Sequence, residues 1–251
     1  MELKDFFKEH PKVALGFSGG VDSVYLLYAG LKAGADIKAY YVKTAFQPAF
    51  ELADAVRAAG EMGASLEIIE LDALADDKVR MNPPDRCYYC KMRIFSAVAA
   101  AALRDGYDVL LDGTNASDDA GDRPGMKAIK ELKVLSPLKE AGLTKADVRR
   151  LSKEAGLFTW DKPSYACLAT RIPAGEEITE DKLARTEKAE EALKSLGFRD
   201  FRIRYMGGTG KLQLTATDME KAFAVRKEIK KALDGLYDGI VIDLEERNGS
   251  D

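Results

Sequence analysis

Apolar residues recur along the chain with two different spacings, and the switches between them predict its elements. An amphipathic opening helix around Leu3, Phe6 and Phe7 gives way to Lys12–Phe17, whose continuous apolar run reads as a buried strand. Helical spacing resumes from Asp22 through Ala33. Further apolar, β-branched or aromatic runs lie at Ile37–Val42, Leu66–Leu71 and Val109–Asp112, separated by helical patterns at Pro48–Met62 and Arg86–Arg104. Strands alternating with helices predict βαβ units, hence an α/β fold with a parallel sheet flanked by helices.

The pattern changes after Lys133. Ser136-Pro137, Lys162-Pro163 and Ile172-Pro173 punctuate a section in which only Thr144–Ala155 is expected to be helical. Thr179 then caps a helix whose first turn holds Glu180 and Asp181, charges suited to the positive end of the helix dipole. Strands are predicted at Phe201–Tyr205 and Leu212–Thr215, joined across Gly207-Gly208. A helix at Asp218–Leu233 and a last strand at Ile240–Leu244 follow. Two domains are therefore expected, residues 1–172 with the parallel sheet and residues 173–251 as a smaller α+β domain.

Composition narrows the class. The 251 residues suffice for one or two domains, and 46% hydrophobic with 32% charged residues exclude disorder. A net charge of −4 sets up no global field for nucleic acid. Apolar stretches such as Ala97–Leu103 fall far short of the roughly 18 residues of a membrane span, and Lys4, Asp5, Lys8 and Glu9 break up any signal peptide. A cytoplasmic, membrane-free protein is the expectation. Its thiols are then reduced, so the three cysteines point to metal or catalytic chemistry before a disulfide.

Ser18-Gly19-Gly20-Val21-Asp22-Ser23 lies between the first strand and its helix, where parallel α/β sheets bind ligands. Glycines allow close backbone approach, while helix N-terminal amides and the Ser18 and Ser23 hydroxyls suit phosphate oxygens. Asp22 is placed to orient Mg²⁺ or a nucleotide. Neither Gly-x-x-x-x-Gly-Lys-Ser/Thr nor Gly-x-Gly-x-x-Gly is present, so γ-phosphate transfer and dinucleotide binding lose their markers. The segment resembles the Ser-Gly-Gly-x-Asp-Ser motif of the PP-loop superfamily, which implies ATP cleavage between the α and β phosphates. A second segment, Leu111-Asp112-Gly113-Thr114-Asn115-Ala116-Ser117-Asp118-Asp119, resembles that superfamily's second nucleotide-facing element; by itself it also reads as a polar turn.

Cys87-Tyr-Tyr-Cys90 offers two thiols to one metal centre, with Cys167 coming from elsewhere. The single histidine, His10, is expected at the surface, which leaves zinc short of ligands. Three thiolates can hold a [4Fe–4S] cluster with one iron open. A redox pair at Cys87 and Cys90, and an inert buried thiol at Cys167, are the alternatives. Lys162 and Arg171 are expected to lower the Cys167 pKa.

Ser18–Ser23, Arg86-Cys87-Tyr-Tyr-Cys90-Lys91, Asp112-Gly113-Thr114-Asn115 and Lys162-Pro-Ser-Tyr-Ala-Cys167-Leu-Ala-Thr-Arg171-Ile-Pro173 together resemble the LarE family over most of the chain. The resemblance implies an ATP-dependent sulfur transferase of nickel-pincer nucleotide synthesis. Its substrate would be pyridinium-3,5-biscarboxylic acid mononucleotide, converted to the thiocarboxylate with sulfide or a sulfur-donating system. It implies ATP-site roles for Ser18, Gly19, Gly20, Asp22, Ser23, Gly113, Thr114 and Asn115, with Ser18, Asp22 and Cys167 catalytic. Some members sacrifice the cysteine matching Cys167; others bind a [4Fe–4S] cluster through three cysteines, the set present here as Cys87, Cys90 and Cys167.

Arg202 and Arg204 match the family's paired arginines for the substrate phosphate, and strand alternation puts both on one face. Glu190 resembles an acidic site residue, against the alternative of a solvated helix face. Tyr205-Met206 departs from the more basic pattern expected there. A homo-oligomer is expected. The competing functions are a cluster-dependent tRNA-thiolating PP-loop enzyme and a non-enzymatic, nucleotide-binding cluster sensor. Residues 173–251 hold 14 Lys and Arg against 17 Asp and Glu, which speaks against a long basic RNA groove.

Overall fold

The computed structural model of the chain describes residues 2–118 and 124–247. They form two compact units. One comprises residues up to Ala73 together with Asp85–Lys162; the other comprises Leu74–Pro84 together with the residues from Pro163 onward.

The first unit opens with α1 (Leu3–Glu9), β1 (Lys12–Gly16), α2 (Val21–Lys32), β2 (Asp36–Lys43), α3 (Ala49–Glu61) and β3 (Leu66–Glu70). The chain then passes into the second unit for Leu74–Pro84, which carries the one-turn helix α4 (Asp77–Arg80), and returns as α5 (Arg86–Arg104) and β4 (Leu110–Leu111). Helices α6 (Pro124–Glu131), α7 (Pro137–Glu140) and α8 (Lys145–Glu154) and a 3₁₀ turn at Phe158–Asp161 complete it. The sheet is parallel in the order β3-β2-β1-β4. Leu135 adds a parallel bridge to Leu111 at its edge.

Both faces of this sheet are covered, which explains why its strands lack polar alternation. Val13, Leu15, Ile37, Ala39 and Tyr41 point into one apolar cluster with α1, α2 and α3. Their neighbours Ala14, Tyr40 and Val42 point into another with Phe95, Val98, Ala101 and Ala102 of α5. Because Leu15 pairs with Leu111, the segments that follow β1 and β4 leave from the same sheet edge.

The second unit contains a 3₁₀ turn at Leu168–Arg171, then α9 (Glu180–Ser195), β5 (Phe201–Met206), β6 (Thr209–Leu214), α10 (Ala216–Ala224), α11 (Arg226–Ala232) and β7 (Gly239–Ile242). The hairpin β5-β6 is antiparallel and β6-β7 parallel. Ala189 and Leu193 of α9 pack against Phe201, Ile203, Leu212 and Leu214 of the sheet. The expected Thr179 cap is present, its hydroxyl accepting from the Lys182 amide. The single helix expected at Asp218–Leu233 is instead broken at Val225, whose backbone (φ −103°, ψ 26°) leaves the helical region. Leu74–Pro84 joins this unit through backbone bonds from Ile178 N to Arg80 O (2.8 Å) and Gly175 N to Asn82 O (2.7 Å). Among the described residues no helix is long and apolar enough to cross a membrane.

Candidate active site

The segment after β1 folds as a tight loop onto α2. Gly19 has φ +71°, a conformation open to glycine, and a Cβ there would lie 2.9 Å from the Ala55 Cα of α3. Ser18 and Ser23 brace the loop: their hydroxyls are 3.1 Å apart, and the Ser23 hydroxyl also donates to the Gly20 carbonyl at 3.2 Å. Gly20 is the N-cap of α2 and supplies no side-chain acceptor, so the amides of the first turn carry no side-chain cap. That arrangement suits an anion.

The segment after β4 is pressed against the same helix start. A Cβ at Gly113 would come within 3.0 Å of the Ser23 amide nitrogen, so glycine permits this approach. Asp112, itself buried, accepts from the Thr114 amide (3.2 Å), the Thr114 hydroxyl (2.6 Å) and the Ser136 hydroxyl (2.7 Å). Asn115 then donates from Nδ2 to Asp22 Oδ1 at 3.1 Å. The other Asp22 oxygen is ion-paired with Lys145 at the start of α8. Ser18, Gly19, Gly20, Asp22, Ser23, Gly113, Thr114 and Asn115 are thus gathered at one sheet edge within the first unit. Asp119, the last residue of the second segment, lies outside the described residues.

Cys87 and Cys90 are the second and fifth residues of α5, three residues apart and therefore on one helix face. Cys87 is exposed, and buried Arg86 donates toward its sulfur at 3.6 Å. Cys167 belongs to the second unit and caps the 3₁₀ turn at Leu168–Arg171, its carbonyl accepting from the Thr170 hydroxyl at 2.8 Å. None of the three is in a disulfide. Among the described residues, no three or more His, Cys, Asp or Glu side chains are grouped to hold a metal ion. His10, half-buried, lies against the Phe6 ring with centroids 4.6 Å apart.

Around Cys167 the second unit concentrates arginines. Arg202 is buried and bonds the carbonyls of Phe201 (2.8 Å) and Ser164 (2.9 Å). Arg204, on the same face of β5 and exposed, bonds Gln213 Oε1 (2.6 Å) and the Thr170 carbonyl (2.9 Å). Arg171 bonds the Ala166 carbonyl at 3.2 Å and the Thr170 hydroxyl at 2.7 Å. Guanidinium groups therefore grip the chain on both sides of Cys167. Burial, then the charges of Arg171 and Arg247, push the Arg202 guanidinium down to about 10, and the same causes lower Arg204. Both remain cations near neutral pH, as a phosphate-binding role requires.

Glu190 is not on a solvated face. It is buried, paired with Arg171 and bonded by the Tyr165 hydroxyl. Arg171 accordingly serves Glu190 and the local backbone, and Lys162 pairs with Asp54 at 2.6 Å within the first unit. Lys145 and the structural roles of Asp112 and Arg171 escaped sequence reasoning. For Lys145 a signal existed: a lysine directly after the Thr144 cap sits at the positive end of a helix dipole, where a cation needs an anionic partner.

No family model matches the chain. Pyridinium-3,5-bisthiocarboxylic acid mononucleotide synthase of Lactiplantibacillus plantarum is 32% identical over 240 residues, covering 94% of this chain and 87% of that protein. An uncharacterised protein of Synechocystis sp. is 35% identical over 87% of this chain and 82% of its own length. The tRNA-specific 2-thiouridylase MnmA of a Thermotoga species is 28% identical over 60% of this chain and 54% of its own. Near-complete coverage at this identity, on a parallel sheet whose β1 and β4 loops meet at Asp22 and Asn115, places the chain in the LarE family.

Proposed function

We propose that the chain is an ATP-dependent sulfurtransferase that adenylates carboxylates of pyridinium-3,5-biscarboxylic acid mononucleotide and converts them to thiocarboxylates, with AMP and pyrophosphate as products. The observation that carries the ATP reading is the α2 start at Gly20, bare of side-chain caps and faced by Asn115 and Asp22. The substrate follows from family membership.

A carboxylate oxygen is a poor leaving group, and adenylation replaces it by AMP. In this reading the first-turn amides of α2 and the Ser18 and Ser23 hydroxyls bind phosphate oxygens and stabilise charge on departing pyrophosphate. Asp22 supplies an oxygen ligand suited to Mg²⁺, which is commonly held by one or two carboxylates together with substrate phosphates. Arg204 and Arg202 bind the substrate phosphate, and the segment they grip presents Cys167.

Cys87, Cys90 and Cys167 are the thiols that would hold a [4Fe–4S] cluster. The donor set fits that group in chemistry, being three thiols outside disulfides, with the single histidine, His10, far from all of them in sequence. Bound by three thiolates, such a cluster leaves one iron for a non-protein ligand such as sulfide. The competing sulfur source is the Cys167 thiol itself.

The test supplies the full chain with ATP, the pyridinium dicarboxylate mononucleotide and sulfide. AMP, pyrophosphate and thiocarboxylate are expected; ADP and phosphate would overturn the reading. A tRNA arm addresses the second reading, favoured by the MnmA similarity over 60% of the chain and opposed by the net acidity of residues 173–251. Pyrophosphate release that requires an acceptor, the carboxylate mononucleotide in one arm or tRNA in the other, separates both enzymes from a sensor.

A further inference from the structure

Arg204 and Lys211 stand directly opposite each other across the β5-β6 hairpin, a register that sets two cations side by side. Like charges so placed repel. The structure parts them: the Lys211 ammonium pairs with Asp243, the residue after β7, at 2.7 Å, while Gln213 of β6 holds Arg204 diagonally, Nε to Oε1 at 2.6 Å. Gln213 in turn donates from Nε2 to Asp243 Oδ2 at 2.9 Å. A chain of side chains thus runs from Asp243 through Gln213 to Arg204, wholly within the second unit.

The polarity of the middle amide is determined by its two neighbours. With a guanidinium on one side and a carboxylate on the other, only the orientation that turns oxygen to Arg204 and nitrogen to Asp243 makes both bonds. Asp243 is itself fixed. Its backbone amide bonds the Leu212 carbonyl at 2.9 Å, and the hydrogen bonds from Lys211 and Gln213 hold its carboxyl below the usual carboxylate range.

Stability does not account for this arrangement, because Arg204 is exposed and ordering an exposed arginine costs side-chain entropy that surface contacts seldom recover. Charge placement does. A carboxylate set directly against Arg204 would neutralise the cation, whereas a neutral amide between Asp243 and Arg204 fixes the guanidinium and leaves its charge available. Nε bonds Gln213 and one Nη1 hydrogen bonds the Thr170 carbonyl at 2.9 Å, so three of the five N–H donors remain, two on Nη2 and one on Nη1. These suffice for a two-point contact with a phosphate.

We infer that Gln213 and Asp243 are positioning residues for the substrate phosphate: Gln213 is a neutral spacer that orients Arg204, and Asp243 fixes the spacer while Lys211 balances its charge. This rests on the phosphate role proposed above for Arg204 and deepens it. Both residues act through Arg204 alone.

The experiment measures equilibrium binding of the pyridinium dicarboxylate mononucleotide and of its dephosphorylated nucleoside to the full chain, in the parent, Gln213→Met, Gln213→Glu, Asp243→Asn and Arg204→Lys. Gln213→Met should weaken the mononucleotide by about threefold to tenfold with nucleoside affinity unchanged, and should have no further effect when combined with Arg204→Lys. Gln213→Glu keeps an acceptor for Nε but puts an anion on the guanidinium. A mere tether would survive that change; a neutral spacer would not, so the mononucleotide should bind at least as weakly as to Gln213→Met. Asp243→Asn should give a smaller loss of the same phosphate-selective kind, absent in the Gln213→Met background, and a loss that persists there would overturn the chain of contacts. Parent-level mononucleotide affinity in Gln213→Met or Gln213→Glu, with Arg204→Lys weakened, would overturn the inference and leave the phosphate role intact. If the parent does not prefer the mononucleotide to the nucleoside, or if Arg204→Lys keeps the full preference, the phosphate reading falls and the inference with it. Equal losses of mononucleotide and nucleoside in the Gln213 variants would show a distorted unit rather than a misdirected guanidinium, and would likewise overturn the assignment.

Discussion

Arg171 and Glu190 form an ion pair with almost no solvent contact, Nε to Oε1 at 2.7 Å with side-chain exposures of 1% and 2%. Two buried charges are tolerable only when their other donors and acceptors are also satisfied. Here the Tyr165 hydroxyl, the Ala166 carbonyl and the Thr170 hydroxyl complete the set, so the pair fastens α9 to the segment that carries Cys167. Glu190→Ala strands a buried guanidinium and should destabilise the second unit by about 3–5 kcal/mol. Chemical denaturation of the full chain checks this; a loss below about 1 kcal/mol, the scale of a surface pair, would refute it.

The two β5 arginines should separate under substitution. Arg202→Lys removes bonds to two backbone carbonyls at a buried position and is expected to lower both stability and mononucleotide affinity. Arg204→Lys, at an exposed position, should lower affinity with little change in stability. Calorimetric titration with the mononucleotide, alongside denaturation, reads both quantities. Equal substrate affinity in the double Lys variant and the parent would remove the phosphate role.

The cysteine reading has a stoichiometric consequence. Anaerobic reconstitution should load about four iron and four acid-labile sulfide per chain, and each single Cys→Ala variant should fail to retain them. Intact-protein mass should be unchanged after turnover, with more than one thiocarboxylate made per chain when sulfide is supplied. Conversion of Cys167 to dehydroalanine in step with product, in iron-free protein, would replace the cluster by a sacrificial thiol and leave the family assignment standing.

Asp105 predicts acid sensitivity in the first unit. Bonds from the Lys38 ammonium and the Tyr40 hydroxyl (2.8 Å for the latter) hold its carboxyl well below the usual carboxylate range. Because the folded value is the lower one, the stabilisation is present above roughly pH 4 and is lost as pH falls below that. Lys38 is shifted upward by the same contacts, so its contribution persists until pH rises past the ordinary lysine range. Asp105→Asn should therefore destabilise at pH 7 and converge on the parent as pH falls below about 4. A difference constant with pH would contradict the assignment.

Much of the first unit could be read from the chain because its determinants are local. Continuous apolar runs marked β1 and β2, buried on both sides, and Arg86–Arg104 was bounded as it folds. The Ser18–Ser23 motif announced its own place at a strand end. What escaped was set by distant partners: Lys145 has meaning only beside Asp22, more than a hundred residues earlier. Glu190 looked like any acidic residue on a charged helix until Arg171 was seen against it. The break at Val225 was equally silent, since the sequence on both sides keeps helical spacing.

The passage of Leu74–Pro84 into the second unit has a consequence for how the chain can be cut. The chain changes unit after Ala73, again after Pro84 and a third time after Lys162, so the second unit is spliced in rather than appended. Truncation at Lys162 would leave Arg80 and Asn82 without the backbone partners supplied by Ile178 and Gly175. Leu74–Pro84 would then persist as a slack tether between β3 and α5. Loop-closure entropy grows only slowly with length, so the first unit would hold its ends together at small cost. The converse fragment, residues 163 onward alone, would begin life missing a piece of itself, and separate expression of the two units would require that short insert to be supplied in trans.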